Sequence, residues 1–83
     1  MELHEKIVNN HLKEIDVDVR ELNFLNSRGI REFVFWIMSN EKLSINQKYN
    51  INIIYTKKKA WQKMSFTTLA LLSPKLVKQF VAS

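Results

Sequence analysis

The sequence predicts a small α+β domain ordered α-β-β-β-α, with a three-stranded antiparallel sheet packed against helices and a short helix appended at the C-terminus. Three observations predict it. Apolar residues recur at helical spacing near the N-terminus, aromatic and β-branched runs flank a turn-forming tetrapeptide in the middle, and a helical period returns after residue 56. With 83 residues the chain is one domain, 1–83, with its core over about residues 2–72. Its 46% hydrophobic and 11% aromatic residues suffice for a single shared core.

Leu3, Ile7, Val8, Leu12 and Ile15 form the apolar stripe of a first helix, about residues 2–14, with Glu5, Lys6, Asn9, Asn10 and Lys13 mostly on the remaining surface. In "VRELNFLNSRGIREFVFWIMSN", Asn26, Ser27, Arg28 and Gly29 are turn-formers between two runs rich in aromatic and branched residues, which is a hairpin signature. Ile30, Phe33, Val34, Ile37 and Met38 fit an amphipathic helix as well, and periodicity does not choose between the two. The apolar character of "FVFWIM" on every side favours a strand. Another strand follows from "YNINIIYT", where Tyr49, Ile51, Ile53 and Tyr55 alternate at period two, and the three strands in succession make a meander. Thr56 then serves as N-cap of a helix in which Ala60, Trp61, Met64, Thr68, Leu71 and Leu72 share one side. Ser73 and Pro74, a cap and a first-turn proline, open the appended helix 74–82, which buries Leu76, Val77, Phe80 and Val81.

An all-α alternative takes "SINQKYNINIIYTKKKAWQKM" as a helix-turn-helix for DNA, with Ile45, Tyr49 and Ile51 at inner positions. Thr56 and Lys59 count against it, because they would stand where the second helix needs apolar contacts.

The composition narrows the function classes. There is no cysteine, hence no disulfide scaffold, thiolate zinc site or cysteine nucleophile. No apolar run approaches the roughly 20 residues of a membrane helix, and "MELHEKIVNN" lacks the basic-then-apolar layout of a signal peptide. The expectation is an intracellular chain with no membrane partner, and the initial Met with the absence of linkers suggests a whole protein. His4 and His11 are too far apart along a helix, about 10 Å, to share a metal. Asp16 and Asp18 lack a third ligand type nearby. No nucleophile motif or phosphate-cradling glycine loop is present, so neither catalysis nor a cofactor or metal is expected.

Charge is distributed unevenly. Of the net +5, residues 1–40 hold five Lys/Arg against seven Asp/Glu, whereas residues 41–83 hold eight against one. Such asymmetry points to a polyanionic partner. The densest cluster is "TKKKAWQKMSFTTL", where lysines crowd the start of a helix, adding their charge to the N–H groups and dipole that attract phosphate.

This run, with the α-β-β-β-α order, resembles the double-stranded RNA-binding domain. That family carries a Ser-Lys-Lys-x-Ala-Lys-x-x-Ala-Ala-x-x-Ala-Leu signature at the end of its third strand. Thr56, Lys57, Lys58, Ala60 and Leu69 match it or nearly so, while Trp61, Met64, Ser65 and Thr68 depart, which marks a degenerate member. The resemblance implies non-catalytic binding of double-stranded RNA by shape and phosphate contacts, accessory to RNA processing or silencing. Lys57, Lys58, Lys59 and Lys63 would meet the phosphates across the major groove. Lys6, Asn9 and Lys13 of the first helix would touch 2′-hydroxyls or phosphates, while Arg28 of the short "NSRG" loop would reach one phosphate at most, so that binding is weaker than in a complete member or the second minor-groove contact is lost.

A docking module of the same fold, without RNA binding, is the competing expectation. If Phe33, Phe35 and Ile37 face the helices, Val34, Trp36 and Met38 lie on the outer face of the sheet. An apolar patch there calls for a homodimer or a protein partner.

Overall fold

Helices and strands alternate regularly in the computed structural model, which describes residues 2–82. In chain order they are α1 (Glu2–Asn9), β1 (Glu14–Asp18), α2 (Ser27–Glu41), β2 (Asn50–Tyr55), α3 (Ala60–Ala70) and β3 (Val77–Val81). The strands lie in the order β1-β2-β3, and both pairs run parallel. The expected antiparallel meander is therefore absent, and three strands exclude the all-helical alternative.

The main correction is at α2. Asn26 does not turn a hairpin; its side-chain oxygen accepts a hydrogen bond from the Gly29 N–H at 2.8 Å and caps a helix of 15 residues. Adjacent residues decide the period: Trp36 and Ile37 are both buried, with Asn40 one turn further and Phe33 one turn before. A strand would have sent Trp36 and Ile37 to opposite faces. Once α2 stands between β1 and β2, those strands need a crossover, which a parallel pair requires and a hairpin forbids.

The N-terminal helix is shorter than its apolar spacing suggests. His11 adopts φ 55°, a left-handed conformation, and its N–H bonds the Val8 carbonyl while Leu12 N–H bonds that of Ile7, each at 3.1 Å. This is the Schellman closure. It releases Ile15 to alternate with Val17 in β1, so β1 lies before the run 19–25 that the hairpin reading would pair.

Residues 74–82 also differ from expectation. Leu76 and Val77 N–H groups bond the Ser73 carbonyl at 3.1 and 2.9 Å, forming a turn, and the chain then enters β3 instead of a helix. The unpaired edge of β2 supplies a ladder for it, beginning with Ile51 N–H to the Leu76 carbonyl at 2.8 Å.

With strands in sequential order, two crossovers of the usual right hand deliver α2 and α3 to one face of the sheet. Their contact shows there, Phe33 meeting Phe66 edge-on at 5.5 Å between ring centroids. Ile7 of α1, Trp36, Ile37, Phe66 and Leu69 cover Ile51, Ile53 and Val77, with Ile15 and Val17 at the margin. Two sets of buried polar groups in this layer are satisfied by one another, whereas the buried amide nitrogen of Gln79 on β3 finds no partner among the described residues. Asn40 clamps the Tyr49 backbone, accepting from its N–H at 3.1 Å and donating to its carbonyl at 2.7 Å. Trp36 Nε1 donates to the Tyr49 hydroxyl at 2.5 Å, which in turn contacts His4 Nδ1 at 2.7 Å.

Candidate interaction surfaces

The face of the sheet opposite the helices is open. It presents Glu14, Asp16 and Asp18 from β1, Asn52 and Ile54 from β2, and Lys78 and Phe80 from β3, because alternate strand residues point the same way. Register groups them in rows: Asp16, Asn52 and Lys78 share one, and Asp18, Ile54 and Phe80 the next. Asn52 is buried between its neighbours, its amide donating to Glu14 Oε1 at 2.7 Å and to Asp16 Oδ1 at 3.0 Å. Arg20 grips Asp18 with two nitrogens, Nη2 to Oδ2 at 2.6 Å and Nε to Oδ1 at 2.9 Å. The hydrogen bonds from Arg20 hold the Asp18 carboxyl at a pKa of about 2. Lys78 is exposed, its amine leaning back to the Pro74 carbonyl at 3.4 Å, and it has no carboxylate partner among the described residues. Phe80 is 51% exposed.

A second surface lies at the carboxyl ends of the strands, where parallel α/β sheets commonly bind ligands. Arg20, Glu21, Thr56, Lys58, Lys59 and Ala82 line a shallow depression of about 380 Å³ there. Thr56 does not cap α3; its hydroxyl accepts from the Lys58 N–H at 3.2 Å and closes the turn before the helix. The N-cap is Lys59, which makes no side-chain cap bond. Gln62, fully buried, fixes this end of the molecule. Its amide nitrogen donates to the Val19 and Leu22 carbonyls at 2.7 and 3.0 Å, and its oxygen accepts from the Thr56 N–H at 3.0 Å.

The residues expected to bind RNA are not brought to one surface. Lys57, Lys58, Lys59 and Lys63 cluster in the turn and first helical turn after β2, although Lys59 is partly engaged, donating to the Arg20 carbonyl at 2.8 Å. Lys13 precedes β1 at the opposite end of the sheet, about 17 Å away along a five-residue strand, and its amine bonds the Asn46 carbonyl. Lys6 and Asn9 are exposed on α1, and Arg28 opens α2 beside Arg31, Glu32 and Phe35.

Val34, Trp36 and Met38, expected on an outer sheet face, lie on α2 instead. Helical steps scatter them: Trp36 is buried, Val34 packs at the core margin and Met38 is exposed. Trp61 packs at the edge of the core against Phe66, with ring centroids 6.0 Å apart. Among the described residues no three carboxylates or imidazoles converge on a point that could hold a metal, and no helix is long and apolar enough to cross a membrane.

Sequence reasoning missed the open face and Gln62. The outward set of β2, Asn52 and Ile54, is implicit in the alternation of "YNINIIYT", whereas the helical spacing of residues 76–81 conceals Lys78 and Phe80. Comparison with family models, with curated proteins and with solved structures finds no match to this chain.

Proposed function

We propose that this chain is a non-catalytic interaction module that binds a protein partner through the open face of its sheet. One observation carries the reading: parallel sheets are ordinarily covered on both faces, and here all the helices lie on one, leaving Ile54 and Phe80 on the other. Two apolar side chains framed by Asp18, Asp16 and Lys78 have the composition of a docking patch with a polar rim. A photo-crosslinking residue placed at 80 or at 54 in the expressing cell tests it. A defined protein adduct, competed by excess unmodified chain and absent when the probe is moved to Phe35 on the helical side, is expected. No adduct at 80 or 54, or the same adducts at 35, overturns the reading.

A second reading keeps phosphate binding by Lys57, Lys58 and Lys63. Its specific support is an exposed lysine cluster, without carboxylate partners among the described residues, before a helix that opens without a side-chain cap. Double-stranded RNA is the polyanion that the sequence resemblance suggests. The antiparallel platform implied by that resemblance is absent, so shape discrimination rests on this cluster alone. A titration against duplex RNA, duplex DNA and single strands at two salt concentrations tests it. Binding should lose about one unit of salt slope for each lysine replaced, and equal affinity for all three removes any preference for A-form duplex.

A further inference from the structure

We infer that the occupant of the open face is a second copy of this chain, related by a two-fold axis that runs parallel to the strands between the two β2 strands; the inference rests on the docking reading above. A closed dimer through one patch must be self-complementary under its axis, and the in-plane axes lie between two limiting directions, across the strands and along them. An axis across the strands lays β1 on β1, and brings Glu14, Asp16 and Asp18 of one copy against the same three residues of the other. An axis along the strands lays β1 of each copy on β3 of the other.

The charge pattern selects the second arrangement. Lys78 shares a row with Asp16, so it falls opposite Asp16 of the other copy. Both strands run the same way under this axis. The lean of the Lys78 amine toward Pro74, the amino-terminal end of β3, therefore carries it toward Glu14 of the other copy. Asn52 and Ile54 sit on the central strand and each meets its own counterpart. Phe80 shares a row with Asp18 and falls over the Arg20–Asp18 pair of the other copy, where a guanidinium fixed by two hydrogen bonds is a partner for an aromatic ring. An unrelated partner would have to supply a basic stripe over β1 and an acidic one over β3. A second copy supplies the match to Lys78 without further design.

Size sets the strength. Three strands about 4.8 Å apart and five residues long give a footprint of roughly 14 by 17 Å. The two copies together then cover roughly 500 Å² of footprint, below the size of a standard stable interface and in the class of transient contacts. The dimer is consequently weak and transient, forming only toward the top of the micromolar range. Its ion pairs lie at the sheet edges, where they set orientation more than affinity, and Ile54 with Phe80 supplies most of the attraction.

Sedimentation of the full chain from about 1 µM to about 1 mM, on variants at exposed positions checked for an unchanged circular dichroism spectrum, tests this. The wild type should dimerise reversibly, and Phe80→Asp should stay monomeric. Asp16→Lys and Lys78→Glu should each weaken self-association about tenfold, while a one-to-one mixture of these two variants restores it, because each then meets its opposite charge. A monomer over the whole range, a dimer indifferent to Phe80→Asp, or a mixture no better than its components overturns the second copy. The crosslinking probe at 80 separates the two claims. An adduct of twice the chain mass supports the dimer, an adduct with a different protein overturns the dimer but leaves the docking reading, and no adduct at 80 or 54 overturns both.

Discussion

Ile53 and Ile54 are neighbours on β2 with the same side chain, yet Ile53 is wholly buried beneath the helices while Ile54 is only half-covered on the open face. The difference comes from topology. Sequential strand order with crossovers of one hand leaves α2 and α3 on a single side, α1 packs there beside α2 through Ile7, and residue types follow that division. The covered face takes Ile15, Val17, Ile51, Ile53 and Val77, whereas the open one takes Glu14, Asp16, Asp18, Asn52 and Lys78. Against that polar background Ile54 and Phe80 are exceptions, and exceptions of this kind identify where a surface is used.

The pair itself gives the sharpest test. Ile53→Ala should cost about 3–4 kcal/mol in chemical denaturation, since it removes buried methyl groups and leaves a cavity. Ile54→Ala should cost the monomer well under about 1 kcal/mol; equal losses would mean that the two faces are not distinct. Next in size is Gln62→Ala, which strands the Val19 and Leu22 carbonyls and the Thr56 N–H. A loss of about 3 kcal/mol is expected, with faster amide exchange at Thr56 as the local sign. A gain should follow from His11→Gly, because glycine accepts the left-handed backbone that histidine resists; a stability increase of about 1 kcal/mol, read as a raised denaturation midpoint, is expected.

The smallest effect is a pH dependence of the covered layer. Burial lowers the pKa of His4 below its ordinary value of 6.5, so folding favours the neutral ring. That contribution is complete above pH 6.5 and is lost as pH falls through the lowered value of the folded state. Protonation also places a hydrogen on both ring nitrogens, so that the Nδ1 facing the Tyr49 hydroxyl can then only donate. Melting temperature should fall between about pH 7.5 and about pH 5, and less so in His4→Gln. Identical slopes for the two proteins would remove His4 from the account.

The parts of the fold legible in the sequence were those with one dominant period. "YNINIIYT" gave β2 by its alternation, and the helix after the lysine turn was placed within a few residues of α3. The segment "FVFWIM" was ambiguous because it is apolar in both periods, and the Asn26 side chain that decides between turn and cap does so through one hydrogen bond. Misplacing α2 then reversed the sheet, since strand direction follows from what lies between strands. Residues 76–81 mislead for the opposite reason. Leu76, Val77, Phe80 and Val81 satisfy helical spacing, but the free edge of β2 made extension more favourable. The lysine cluster is plain in the sequence, while its distance from Lys13 depends on a sheet direction that local patterns do not encode.

The all-parallel pairing has a consequence for how the chain acquires its shape. Glu14 meets Asn50 and Ile51 meets Val77, each across an intervening helix and its connections. No ladder can begin from a neighbouring turn, so loop-closure entropy is lost before any inter-strand bond compensates for it. Folding should therefore be slow for a chain of this length, with β2 the last piece to be secured, because it waits for segments arriving from both sides.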